Sequence, residues 1–194
     1  SSAEEVRRAS EGTAERFGGL QVLFNNAGVG GGFDWDQTIA INLTGVYHGL
    51  RIGAPFMARH GGGAIINTSS IAGLVGLSGS PVPPTLEELE EAEGGPGAYI
   101  AAKHGVAGLT KQFAINYGSL GVRVNAISPG FIETAMTAEF RADPDIEQYL
   151  ISQHPIGRLG RPEEIAAVAS FLASDDASFV NGVVLPVDGG YTAR

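Results

Sequence analysis

Tyr99 and Lys103 stand four residues apart in the run Tyr99-Ile100-Ala101-Ala102-Lys103. On a helix, positions i and i+4 share one face. An ammonium beside a phenol favours the phenolate, drawing the tyrosine pKa down from about 10 toward working pH. A tyrosine so tuned can trade a proton with an alcohol or carbonyl oxygen. By itself the spacing is unspecific, because such pairs also decorate solvent-facing helices. Three polar or glycine-rich runs give it a context: Asn25-Asn26-Ala27-Gly28 followed by Gly30 to Gly32, Asn67-Thr68-Ser69-Ser70, and Ser128-Pro129-Gly130-Phe131-Ile132-Glu133-Thr134. Each follows an apolar, β-branched segment. Ligands of open α/β sheets bind outside the carboxyl ends of the strands. Three such ends beside a tyrosine–lysine pair predict a nucleotide-type cleft.

The elements that must hold these residues are legible as periodicity. Buried strands are expected at Val22–Phe24, Ala64–Ile66, Val122–Ile127 and Val183–Val187. Helical patterns alternate with them: Ala3 to Phe17, about Asp34 to Arg59, from after Gly97 to about Tyr117, and Pro162 to Leu172, where proline and two glutamates open the first turn. The alternation predicts an α/β fold, a three-layer, doubly wound parallel sheet. One segment stands apart. Residues 78–97 form an acidic, proline-rich insertion in which Thr85 and Glu88 have capping-box spacing, so a short acidic surface helix is expected. Trp35 is expected to pack within its helix. Substrate-lining candidates are Gly73 to Leu77, the insertion and Ala135 to His154.

Composition narrows the classes of function. The 194 residues are 43% apolar with a net charge of −9, which argues against nucleic acid as a partner. Absent cysteines exclude a disulfide framework, a thiolate zinc site and a cysteine nucleophile. The four histidines (His48, His60, His104, His154) lack metal-ligand spacing, so no metal is expected. No apolar run of roughly 18 residues predicts a membrane span, and a cytoplasmic location is expected.

Taken in order, these motifs resemble the short-chain dehydrogenase/reductase family of Rossmann-type enzymes: Asn25-Asn26-Ala27-Gly28, Asn42 in Ile-Asn-Leu, Ser70, Tyr99-x-x-x-Lys103, Pro129-Gly130, and the ending Pro186-Val187-Asp188-Gly189-Gly190. The likeness covers about Val6 to Tyr191. It implies an NAD(P)-dependent alcohol dehydrogenase or carbonyl reductase that interconverts a secondary alcohol and a ketone. In that family's terms Tyr99 is the acid/base, and Lys103 tunes it and holds the nicotinamide ribose. Ser70, rather than Ser69, polarises the substrate oxygen. Asn42 holds a relay water. Asn26, Ala27 and Gly28 line the adenosine half of NAD or NADP. Pro129, Gly130, Ile132 and Thr134 line the nicotinamide, and residues 134–154 form the substrate lid. The resemblance also implies a homodimer or homotetramer, with Leu50, Ile52, Val106, Leu109 and Phe113 supplying apolar interface.

The chain departs from the family pattern in three places. The family opens with a glycine-rich strand–turn–helix that holds the pyrophosphate, and strands amounting to roughly 60 residues have no counterpart before the first helical pattern here. With them go the residues that choose NAD over NADP. The sequence therefore reads as a single, partial dinucleotide-binding and catalytic domain (1–194), the recorded part of a protein of roughly 250–270 residues. Asn26 to Asn42 is shorter than the family interval, and Ser70 to Tyr99 is longer because of the insertion. These departures leave a second reading open: a catalytically idle subunit or fragment that acts as an oligomer or binding partner.

Overall fold

Short runs of β-branched and aliphatic residues, each followed by a longer amphipathic stretch, give parallel strands joined by helical crossovers. In a computed structural model that describes residues 2–78, 80–91 and 95–193, the strands are β1 (Val22–Asn25), β2 (Gly63–Thr68), β3 (Val122–Pro129) and β4 (Val184–Val187). They form one parallel sheet in the order β1-β2-β3-β4. The helices are α1 (Ala3–Phe17), α2 (Trp35–Ile39), α3 (Gly45–Arg59), α4 (Leu86–Glu91), α5 (Gly95–Tyr117), α6 (Ala138–Arg141), α7 (Pro144–Ser152) and α8 (Pro162–Ala173). The order of strands and helices is the one expected of a Rossmann-like α/β sheet.

Side-chain alternation along the strands divides the core into two layers. Ile65, Val122 and Val124 pack with Val46, Leu50, Met57 and Val106 of α3 and α5. Ala64, Ile66 and Ile127 point the other way, against Ala169 and Leu172 of α8. Arg123 ties the second layer down. Its guanidinium donates to the Leu172 and Ser174 carbonyls at 2.8 and 2.9 Å, satisfying orphan acceptors at the end of α8. All carboxyl ends of the parallel strands lie on one edge, so the polar runs read from the sequence share that edge.

Several expectations are corrected. Val22 and Phe24 are 46% and 42% exposed rather than buried, because β1 is the outer strand among the described residues and pairs only with β2. Trp35 is half exposed at the start of α2 instead of packed. Leu50, Ile52 and Val106 are buried within the chain, so they leave no surface for a partner. The stretch read as one helix from Asp34 to Arg59 carries a π-helical turn at Ala40–Thr44 between α2 and α3. The insertion does carry the expected capping box. Glu88 N–H donates to Thr85 Oγ1 at 3.2 Å and Thr85 N–H to Glu88 Oε2 at 2.7 Å, opening α4. Positions 79 and 92–94 of the insertion lie outside the described residues.

Candidate active site

The site assembles where β2 ends and α5 begins. Beyond Thr68, Ser69 and Ser70 turn into the short 3-10 helix Ile71–Gly73. Gly73 is required there, because a Cβ would collide with Ser69 Oγ and the Lys103 carbonyl. That approach sorts the two serines. Ser69 is buried and donates to the Lys103 carbonyl at 3.0 Å, a purely structural bond to α5. Ser70 Oγ accepts from Ala72 N–H at 3.1 Å and shares a hydrogen bond with the Tyr99 hydroxyl. That bond favours the phenolate, so the Ser70 proton points to the Tyr99 oxygen, from which it can turn to a substrate oxygen beside it. Ser70, the expected serine, is the one of the two that meets Tyr99.

Lys103 lies one turn along α5 with its ammonium 5.5 Å from the centre of the Tyr99 ring. It donates to the Thr68 carbonyl at 2.9 Å. Both side chains are deeply enclosed, and burial dominates their ionisation. It drives the Lys103 ammonium down to about 8. It also holds the Tyr99 phenol above its ordinary value of 10, with the Ser70 hydrogen bond pulling the other way. Burial thus shifts the Tyr99 phenol opposite to the expected lowering, and the downward pull comes from Ser70 rather than from Lys103.

Asn42 sits in the π-helical turn and is fully buried. Such turns insert one extra residue and are frequent at functional sites. Here the turn aims the carboxamide at the loop after β1. Its Oδ1 accepts from Val29 N–H at 2.8 Å and its Nδ2 donates to the Val29 carbonyl at 2.9 Å. This two-point clamp fixes the loop that carries Asn26, Ala27 and Gly28. A methyl on Gly28 would stand 3.1 Å from Asn42 Oδ1 and 3.8 Å from Lys103 Nζ. Glycine at 28 thus leaves a shallow cradle between the clamp and the ammonium. Asn26 accepts from the Thr68 hydroxyl at 2.9 Å, tying this loop to the end of β2.

Residues 1–82 match a family model described as short chain dehydrogenase, and residues 78–192 one described as Enoyl-(Acyl carrier protein) reductase. Over 200 residues the chain is 41% identical to cyclohexanol dehydrogenase of Acinetobacter sp. (strain SE19), covering 98% of this chain and 71% of that protein. The crystal structure of levodione reductase superposes with a TM-score of 0.85 at 38% identity, over 100% of this chain and 74% of that one. ElxO with NADP bound gives 0.84 at 31% identity, over 99% and 75%. The chain belongs to the short-chain dehydrogenase/reductase family.

Seen as a member of that family, the chain brings the expected tetrad and loops to one sheet edge. The remaining expected residues lie around the end of β3. Pro129 closes that strand, and Gly130 N–H donates to the Val187 carbonyl at 3.1 Å. Ile132 is buried and bridges to Gly160. Thr134 caps the turn Ala135–Thr137 in a box with Thr137.

The sequence marks His154 only as the last residue of the expected lid, with no role of its own. This buried imidazole accepts from Phe131 N–H through Nε2 at 3.2 Å, which leaves the proton on Nδ1, 2.7 Å from the Leu150 carbonyl. Its ring also lies 5.4 Å from that of Tyr191. It thereby joins the loop after β3, the end of α7 and the C-terminal turn. That turn is held by Asp188. Although burial opposes it, the hydroxyl and N–H of Thr192 and the N–H of Gly190 keep the Asp188 carboxyl below its usual range. The only signal for His154 was an unassigned histidine, which points nowhere without the fold. Among the described residues no cluster of His, Asp and Glu could hold a metal ion, and no helix is long and apolar enough to cross a membrane.

Proposed function

We propose that this chain carries the catalytic centre of an NAD(P)-dependent oxidoreductase that interconverts a secondary alcohol and a ketone. The observation behind this reading is the Ser70–Tyr99 hydrogen bond with the Lys103 ammonium against the tyrosine ring, at the carboxyl edge of a parallel sheet. An alicyclic alcohol is the preferred substrate class, by analogy with cyclohexanol dehydrogenase and levodione reductase. NADP in the ElxO structure supports a nicotinamide dinucleotide as cofactor.

The residues present fit such a cofactor. Glycine at 28 leaves open the space that a side chain would fill beside Asn42 and Lys103. Lys103 has one bond to the Thr68 carbonyl, which leaves two ammonium protons for the ribose hydroxyls. Pro129, Gly130, Ile132 and Thr134 would line the nicotinamide half, and Asn26, Ala27 and Gly28 the adenosine half. When bound, the dinucleotide supplies the hydride chemistry.

The protein's part is proton transfer and orientation. In carbonyl reduction, Ser70 donates a hydrogen bond to the substrate oxygen and polarises it. Tyr99 gives that oxygen its proton. The tyrosinate left behind accepts from Ser70 and is favoured by the nearby Lys103 ammonium. Lys103 then returns a proton. Asn42 contributes by holding Val29, and a relay water at Asn42 would meet groups other than the two bonds already made. In alcohol oxidation the same steps run backwards, and the phenol's high resting pKa makes the ammonium more important.

Residues 134–154 are read as the substrate lid, and the protein as a homodimer or homotetramer. Leu43, Thr44, Tyr47, Gly105, Leu109 and Gln112 line an open groove between the π-helical turn, α3 and α5 that suits a second copy. The test of the oxidoreductase reading is titration of the full-length protein with NADH and NADPH, followed by nicotinamide fluorescence. Saturable binding of one of them, with turnover of cyclohexanol or cyclohexanone, supports it. Absence of binding by both moves the protein to the idle-subunit reading.

A further inference from the structure

One cation near the site has no partner to match its burial. Arg141 ends α6. Among the described residues its only hydrogen bond runs from Nη2 to the Thr134 carbonyl at 3.2 Å. That carbonyl already accepts from the Thr137 hydroxyl at 3.2 Å. The Nε of Arg141 is shielded from solvent and has no hydrogen-bond partner. No carboxylate of the described residues pairs with this guanidinium, whereas Arg7, Arg158 and Arg161 all have one. An unsatisfied N–H on a charged group is costly where water cannot reach it.

The course of the chain puts this cation beside the end of β3, next to the span that leads from β3 toward β1. Thr134 follows the carboxyl end of β3. Two residues on, Met136 packs over Gly30 in the loop that follows β1; a methyl on Gly30 would meet Met136 Cγ at 3.4 Å. In the sheet β2 lies between β1 and β3, and its end carries Thr68, Ser69 and Ser70. The segment from Thr134 to Met136 therefore reaches from the end of β3 to the loop after β1, past the end of β2 that carries Ser70. Arg141 then turns back to Thr134, which sets its guanidinium beside the start of that span.

We propose that Arg141 forms an oxyanion subsite on the lid side of the cleft, where its planar guanidinium takes a carboxylate of the substrate or a phosphate of the bound dinucleotide. The proposal rests on the oxidoreductase reading for the identity of the cleft. A guanidinium is suited to this because its parallel N–H groups match two oxygens of one anion. Substrates with an acidic group remote from the reacting carbon would then be selected over neutral rings of the same size.

The experiment compares wild type, Arg141→Gln and Arg141→Lys in the full-length protein. Three quantities are read: binding of cyclohexanecarboxylate, a non-reacting anion; binding of NADH and NADPH; and the ratio of kcat/KM for 4-hydroxycyclohexanecarboxylate to that for cyclohexanol. If the anion comes from the substrate, Arg141→Gln weakens the carboxylate probe and lowers the ratio by about tenfold or more, Arg141→Lys keeps part of both, and added salt raises KM for the acid selectively. If it comes from the dinucleotide, Arg141→Gln weakens NADH or NADPH by a similar factor and leaves the ratio alone. Either pattern supports the subsite. Changes below twofold in all three, in variants that keep the wild-type circular dichroism, overturn it. Probe binding is read without turnover. A protein that binds the carboxylate through Arg141 but oxidises no alcohol would keep the subsite and refute the oxidoreductase reading.

Discussion

At the scale of single residues, Lys103 shows how a site is held against its own stability. Burial lowers its pKa from 10.5 to about 8, which corresponds to about 3 kcal/mol of cost for the charged form below that pH. Between pH 8 and 10.5 the unfolded chain carries a proton that the folded chain lacks, so stability rises with pH across that window. Lys103→Met should remove this rise. Urea midpoints at pH 7 and pH 9.5 should differ less in the variant than in wild type, measured without cofactor. An equal difference in both would contradict the buried ammonium. Asn42 makes the complementary point. Asn42→Ala leaves the Val29 N–H and carbonyl unpaired beside a buried cavity, at a cost of about 1–3 kcal/mol, and should loosen the loop from Asn26 to Gly28. Faster hydrogen exchange of Val29 would report that loosening. The tyrosine–lysine pair was legible as a spacing, and the tetrad as a resemblance. The balance of their ionisation was not, because desolvation depends on how deep α5 and the Ser70 turn enclose them.

At the scale of elements, the chain is read well wherever one pattern governs one segment. α1 begins and ends at Ala3 and Phe17 as its amphipathic period indicates, with Ser2 accepting from Glu5 N–H and Gly18 closing it in the left-handed region. The π-helical turn was invisible, since one extra residue in a turn barely disturbs an apolar stripe of α2 and α3, yet that residue turns Asn42 inward. His154 was invisible for a different reason. It stands 23 residues beyond Phe131, and nothing local marks the N–H it accepts. His154→Phe keeps an aromatic ring against Phe131 and Tyr191 but loses the acceptor for Phe131 N–H and the donor to the Leu150 carbonyl. We expect it to raise KM for the dinucleotide several-fold while changing kcat less, and His154→Asn to recover part of the loss. Equal falls in kcat with KM unchanged would show that His154 does not position the loop.

At the scale of the whole molecule, the described sheet has its chemistry on one edge and its open apolar surface elsewhere. Tyr47 is 40% exposed beside the groove between α3 and α5. Its ring meets Phe113 edge-on at 6.5 Å, so the two aromatics present one ridge. We expect Tyr47→Glu to shift the full-length protein toward monomer in light scattering; a wild type that is monomeric at micromolar concentration would contradict the assembly. The acidic helix α4 stands outside both surfaces, with Leu86 and Leu89 exposed, and no residue of it enters the site described.

The central claim is that Tyr99 moves the proton. Turnover of cyclohexanol by the full-length protein with its preferred dinucleotide, compared between wild type and Tyr99→Phe, tests it most directly. Only the hydroxyl that bonds Ser70 is removed, so cofactor binding should stay near wild type. Turnover should fall by about 10²–10⁴-fold, the typical share of a general acid–base group. A Tyr99→Phe protein that keeps more than about a tenth of wild-type kcat would contradict the account.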